Sequence, residues 1–235
     1  TGAVDMFGDV SLVDISGYEI EEFTESELLN KELECFGYYF SQHPLITIRN
    51  CISSRTKPIN KLQVSGQEKF LPVLIHKKRI RQKGSQVSIW LEVSDETGNL
   101  DVSIPRELHD NKKELFKENS IVMLKGKFSH DDFREDARIR MRATDIMSIE
   151  DSRNHLTTKL CLEIDRANMK KIGNGQFPEL KELESDKGVD VFIRISDEEL
   201  NLSSEFKVDN FKISLEDSTF EKLNKLFGEE KYKLY

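Results

Sequence analysis

Cysteine is scarce in this chain: Cys35, Cys51 and Cys161 are the only three, and they stand far apart. No CxxC pair exists and the five histidines do not gather around the thiols, which argues against a zinc site and a disulfide framework. Widely spaced thiols read as reduced, the state expected of a cytoplasmic protein. No apolar run approaches the roughly 20 residues that span a bilayer. No basic stretch followed by an apolar core opens the chain, so neither a secretory signal nor a membrane partner is expected. The first residue is Thr1 rather than Met, which reads as a piece of a longer protein. Catalytic constellations are missing too. There is no P-loop and no GxSxG, and Asp95-Glu96 is a carboxylate pair in a turn sequence, where acids serve local hydrogen bonding. Nothing presents the convergent acids of a two-metal site. No catalytic residue, metal or cofactor is expected in this chain.

What is present is charge. Charged residues make up 33% and hydrophobic residues 37% of the 235, with a net charge of -8. Overall acidity disfavours nucleic acid, but the charge is unevenly spread. Residues 66–150 hold 16 basic and 15 acidic side chains, whereas residues 1–65 hold 5 and 10. A local basic face can hold phosphate on an acidic protein.

Residues 1–22 contain Gly2, Gly8 and Gly17 among many acids and read as a flexible linker. Thr24 and Glu27 form a capping box ahead of an apolar helical pattern from Leu28 to Phe40, and His43-Pro44 is the expected stop. The rest of 23–65 reads as a connector.

Over 66–152 the period changes to two. Strands are expected at Phe70–Arg81, Gln86–Ser94, Leu100–Ile104, Ser120–Ser129 and Arg138–Ile149, with helical spacing at Arg106–Phe116. Three strands, a helix and two strands is the order of an OB-fold, a five-stranded barrel. Residues 157–235 alternate strands with short helices and read as a separate small α+β domain. The expected fold is therefore multi-domain: a helix, an all-β OB barrel, and an α+β domain.

The run His76-Lys77-Lys78-Arg79-Ile80-Arg81-Gln82-Lys83-Gly84 carries five Lys or Arg and no acid. It falls at the end of the first strand, on the edge where OB-folds bind oligonucleotides. Lys77, Lys78, Arg79, Arg81 and Lys83 are candidate phosphate contacts; the competing reading is a solvated edge that blunts strand pairing. Trp90, the only tryptophan, points away from the Val87/Ile89/Leu91/Val93 face and either stacks on a base or packs under a neighbouring segment. Arg138, Arg140 and Arg142 share one face of the fifth strand, and Phe133 lies in the loop before it. There, phosphate contact competes with local ion pairs to Asp131, Asp132, Glu135 and Asp136.

The segment Glu32 to Leu45, with Glu32, Glu34, Gly37, Tyr39, Ser41, His43, Pro44 and Leu45 as the matching positions, resembles the stretch before the OB domain in the alpha subunit of bacterial DNA polymerase III. Cys35-Phe36 replaces a small apolar pair. Asp95-Glu96-Thr97-Gly98, Gly126 and Asp132-Phe133 also resemble that family. The resemblance implies single-stranded DNA as a partner, along with the rest of the polymerase chain, whose catalytic acids lie elsewhere. Asp5, Met6 and Phe7 resemble the family's internal sliding-clamp peptide, with Ala3 where glutamine is expected. By the same resemblance 157–235 would dock the tau subunit of the clamp loader, with Tyr232, Leu234 and Tyr235 as candidate anchors. Two other readings stay open: an OB-fold that reads folded RNA in an aminoacyl-tRNA synthetase-like enzyme, and a module that binds only protein.

Overall fold

The computed structural model describes residues 23, 25–84, 86–130, 139–164, 178–197, 202–228 and 231–235. Two bodies are distinguished, residues 1–39 and 40–235. In the first, helix α1 runs Glu25–Phe36. It ends earlier than His43-Pro44 because Gly37 takes φ +76°, a left-handed conformation open to glycine. The Gly37 N–H then donates back to the Leu33 carbonyl at 3.0 Å. The expected cap, Thr24, lies outside the described residues.

In the second body, β1 (Lys69–Lys83), β2 (Gln86–Asp95), β3 (Gly98–Ile104), β4 (Ile121–His130) and β5 (Ile139–Met147) close in the order β1-β2-β3-β5-β4. One long strand makes closure possible. The first half of β1 pairs with β4 and the second half with β2, both antiparallel. Strands β3 and β5 meet in parallel. This is the OB-fold order expected from the sequence. Alternation supplies the interior: Leu71, Val73, Ile75, Leu91, Val93, Val102 and Met141 are all buried there. Each such side chain contributes about 1.5–3 kcal/mol relative to exposure, so the shared face fixes the register. The helix expected at Arg106–Phe116 is shorter: α3 covers Arg106–Asn111, a 3-10 turn follows, and Phe116 drops into the core.

Gly126 permits the β4–β5 approach. A Cβ there would sit 2.3 Å from the Arg142 carbonyl oxygen and 2.7 Å from Met141 Cε, beside a register shift at Lys125/Gly126.

The connector is part of the barrel. Leu62 is buried in the barrel core, with Ile59 packed against it. The Asp95 carboxylate accepts from Thr97 N, the Thr97 hydroxyl and Gly98 N at 2.7–3.0 Å, and from Ile59 N at 2.6 Å. Asp95 thus builds the turn, as its position implies, and also pins the connector to it. Helix α2 (Leu45–Ile48) and helix α4 (Ile149–Leu156) form a second cluster with Met123. The fifth strand ends at Met147, before the expected Ile149, because Ser148 caps α4 by accepting from Asp151 N at 2.9 Å.

Downstream, β6 (Lys159–Ile164), β7 (Glu184–Asp197), β8 (Leu202–Ile213) and β9 (Tyr232–Leu234) form a sheet in the order β8-β7-β6-β9. A short helix α5 (Pro178–Lys181) and α6 (Asp217–Phe227) accompany it. Leu180, Phe220 and Leu223 from these helices pack with Leu160, Leu162, Val191, Tyr232 and Leu234. Arg153 of α4, only 5% exposed, ties this layer to the connector. Its Nε donates to the Cys51 carbonyl at 2.9 Å, its Nη1 pairs with Asp217, and its guanidinium lies 4.8 Å from the Phe220 ring centre.

Candidate nucleic-acid interface

The basic run occupies the distal half of β1, and a register shift between Ile75 and Lys77 sets its direction. Such a bulge re-aims the side chains that follow it. Beyond it, Lys77 stands opposite Glu92, Arg79 opposite Trp90, and Arg81 opposite Ser88. These positions share the barrel's outer face, since Ile89, Leu91 and Val93 between them are buried. Lys78 and Ile80 alternate to the other side, where the Lys78 N–H donates to Glu118 at 3.0 Å.

Trp90 is half-buried on the outer face, and the Arg140 guanidinium carbon lies 5.3 Å from its ring centre. Arg79, Arg81, Trp90, Glu92, Asp101 and Arg140 line one hollow of about 230 Å³. A larger hollow of about 510 Å³ shares Glu92, Asp101 and Arg140 and extends to Ile59, Leu62 and His76. The two hollows thus border each other at residues of β2, β3 and β5. Arg79 pairs with Glu92, their side chains 47% and 36% exposed. A pair that accessible contributes little stability in water and exchanges readily for a phosphate. Arg142 is exposed two residues beyond Arg140 on the same face. Thus Lys77, Arg79, Arg81, Trp90, Arg140 and Arg142 gather on one surface, and Lys78 faces away from it. The Lys83 side chain, Phe133 and Arg138 lie outside the described residues, as do Asp5, Met6 and Phe7.

At the chain's end the structure corrects two docking candidates. Tyr232 and Leu234 are each 1% exposed and belong to the core. The Tyr232 hydroxyl donates to Asn224 Oδ1 at 2.8 Å, and its ring stacks on Phe220. Tyr235 remains half-buried, with the Lys159 ammonium 5.1 Å from its ring centre. On the edge strand β9, Tyr232 and Leu234 share one face, which α6 covers.

Sequence reasoning missed a histidine pair. His43 Nε2 and His76 Nε2 lie 2.8 and 2.6 Å from Ser94 Oγ, and His43 Nδ1 accepts from Leu45 N at 3.2 Å. That last bond leaves the His43 proton of a neutral ring on Nε2, donating to Ser94 Oγ. Burial pushes the His43 pKa down, and the nearby Glu96 and Asp95 carboxylates oppose that while His76 and Arg49 add to it. Among the described residues no group of three His, Cys, Asp or Glu is arranged to hold a metal, and no helix is long and apolar enough to cross a membrane.

No protein-family model matches the chain. A DNA polymerase III subunit alpha of Pseudomonas fluorescens is 24% identical over 177 residues, 72% of this chain and 15% of the relative. The protein of that name from Bacillus subtilis is 33% identical over 113 residues, 46% of this chain and 10% of the relative. The chain therefore spans about 15% of the length of such relatives, and the resemblance read from its residues is borne out. Among solved structures, an asparaginyl-tRNA synthetase from Pyrococcus horikoshii aligns at TM-score 0.33 and 14% identity, over 41% of this chain and 22% of that one. A replication protein A heterotrimer bound to ssDNA aligns at TM-score 0.28 and 12% identity, over 42% and 79%. Neither structural likeness bears on what this chain binds.

Proposed function

We propose that this chain is the C-terminal accessory region of a replicative DNA polymerase's alpha subunit, and that its barrel holds single-stranded template DNA. The observation that carries the proposal is the clustering of Arg79, Arg81 and Arg140 around Trp90 in one groove. Cations neutralise phosphates and release counterions, and an indole stacks on any base. Glu92 and Asp101 in the same groove temper that attraction, which suits a guiding contact better than a tight one. The sequence similarity to alpha subunits supports the replicative setting. Tethering to the sliding clamp through Asp5, Met6 and Phe7, and to the clamp loader through the C-terminal sheet, completes the proposed role, with the polymerase active site carried elsewhere in the parent protein.

The whole chain should bind oligodeoxythymidine weakly at low salt, with affinity falling as salt rises. Replacing Lys77, Arg79 and Arg81 together by alanine should weaken binding about tenfold or more and flatten the salt dependence by about 0.7 per cation lost. No binding at low salt, or indifference to those replacements, rejects the proposal. Preference for folded tRNA in competition would favour the synthetase-like reading instead, and clamp or clamp-loader binding without any nucleic-acid contact would favour a protein-binding module.

A further inference from the structure

Strand register places side chains in rows that run across the barrel. One row on the outer face passes through Arg79 of β1, Trp90 of β2, Ser103 of β3, Arg142 of β5 and Lys127 of β4, each the partner of the next. It contains no acid. The adjacent row passes through Lys77, Glu92, Asp101, Arg140 and Ser129, and its centre is two carboxylates facing each other. Arg79 pairs with Glu92 across the two rows, so the attraction for a polyanion along the first row is strongest at its Arg142–Lys127 end.

Lys127 and Arg142 make the first row unusual. They stand directly opposite each other, both are exposed, and no ion pair holds either among the described residues. Like charges directly opposite each other are destabilising. The nearby Glu68 carboxylate bonds Lys125 at 3.2 Å and also attracts Lys127, without forming an ion pair with it. An anion lying across both cations would relieve their repulsion.

We propose that the bound strand crosses the barrel along the Arg79–Trp90–Ser103–Arg142–Lys127 row, with Arg142 and Lys127 as phosphate contacts, rather than following the β1–β2 hairpin alone. This rests on the single-stranded DNA reading above and adds a path and a contact, Lys127, to it. Neighbouring strands lie about 4.8 Å apart, so the four steps of the row trace about 19 Å along the curved barrel wall. At about 3.4 Å per stacked nucleotide, that seats five or six nucleotides, within the roughly 4–16 that an OB-fold engages. Trp90 sits one step in from the Arg79 end, where a base can stack while phosphates on both sides meet cations.

The test uses the whole chain, oligodeoxythymidines of increasing length, and fluorescence of Trp90, the only tryptophan. Affinity should rise with length and level off near six nucleotides. The double variant K127A/R142A should bind about tenfold more weakly at low salt, with the salt slope shallower by about 1.4, or 0.7 per cation. The charge-keeping variant K127R/R142K should retain the slope. Both side chains are exposed and repel each other, so K127A/R142A should melt at or slightly above the parent, and a loss of affinity cannot be put down to unfolding. If K127A/R142A leaves affinity and slope unchanged while alanine at Arg79 and Arg81 weakens binding, the cross-strand path is overturned and the DNA-binding reading stands. If the parent chain binds no single strand at all, the reading itself fails.

Discussion

The outer faces of the two sheets in the second body carry charge in opposite arrangements. On the C-terminal sheet, the row Glu163, Arg194, Glu205 alternates in sign across β6, β7 and β8. Arg194 bonds Glu205 at 2.8 Å and Glu163 at 3.4 Å, Lys159 reaches Glu205 at 2.5 Å, and Lys233 reaches Glu163 at 2.9 Å. These bonds hold the Glu205 carboxyl below the usual carboxylate range, and hydrogen bonds to Glu205 and Tyr235 raise the Arg194 pKa. On the barrel, Arg142 faces Lys127, and Glu92 faces Asp101. One surface has settled its charges internally, whereas the other pairs Arg79 with Glu92 but leaves Arg142 and Lys127 facing each other with no ion pair to either among the described residues. A count of charged residues cannot tell these surfaces apart; register can.

The comparison can be broken most sharply at two glycines. Gly126 abuts the Arg142 carbonyl, and a Cβ on Gly188 would sit 2.2 Å from the Ile213 carbonyl oxygen in the other sheet. Each change to alanine should cost about 1–3 kcal/mol, the range of overpacking, read as a lowered urea midpoint. Under conditions where both variants stay folded, G126A should also weaken DNA binding by displacing Arg142, and G188A should not. Equal effects on DNA would show that the groove depends on both sheets.

Trp90 tests the barrel face itself. W90A should lose about 1–3 kcal/mol of single-strand affinity, measured by anisotropy of labelled DNA, with W90F recovering most of it. An unchanged affinity would make the indole a packing element for Arg140.

The smallest effect concerns His43. Its folded pKa is lowered, so the unfolded chain takes up the proton first on acidification. The stabilisation is complete above the unfolded imidazole value, about 6.5, and declines as pH falls through it towards the lower folded value. The melting temperature should therefore drop between pH 7 and pH 5.5, and less so in H43Q. Parallel curves would place the acid sensitivity elsewhere.

Much of the barrel was legible because period-two alternation is local: Val87, Ile89, Leu91 and Val93 announce a face before any partner is known. The basic run and Trp90 could be placed for the same reason. Lys127 could not, because its meaning lies in standing opposite Arg142, which depends on the β4–β5 register and the shift at Gly126. Ile59 and Leu62 looked like linker residues, since nothing nearby shows that a barrel mouth waits for them. Tyr232 and Leu234 are candidate anchors by family resemblance alone, and only their packing with Phe220 and Leu223 of α6 shows them to be interior. Gly37 was the legible signal passed over: a glycine ahead of His43-Pro44 was the nearer place for α1 to stop.

One consequence concerns synthesis. Cys51 Sγ lies 3.3 Å from the Tyr232 hydroxyl, a contact 181 positions apart along the chain, and Ser54 N donates to the Leu234 carbonyl at 2.9 Å. On a ribosome the connector emerges long before the strand that completes its surroundings. Bringing such distant segments together slows folding, because loop entropy is lost before the contact is gained. The barrel can close early, but Cys51 and the neighbouring β6 edge stay uncovered until Tyr232 and Leu234 have left the exit tunnel.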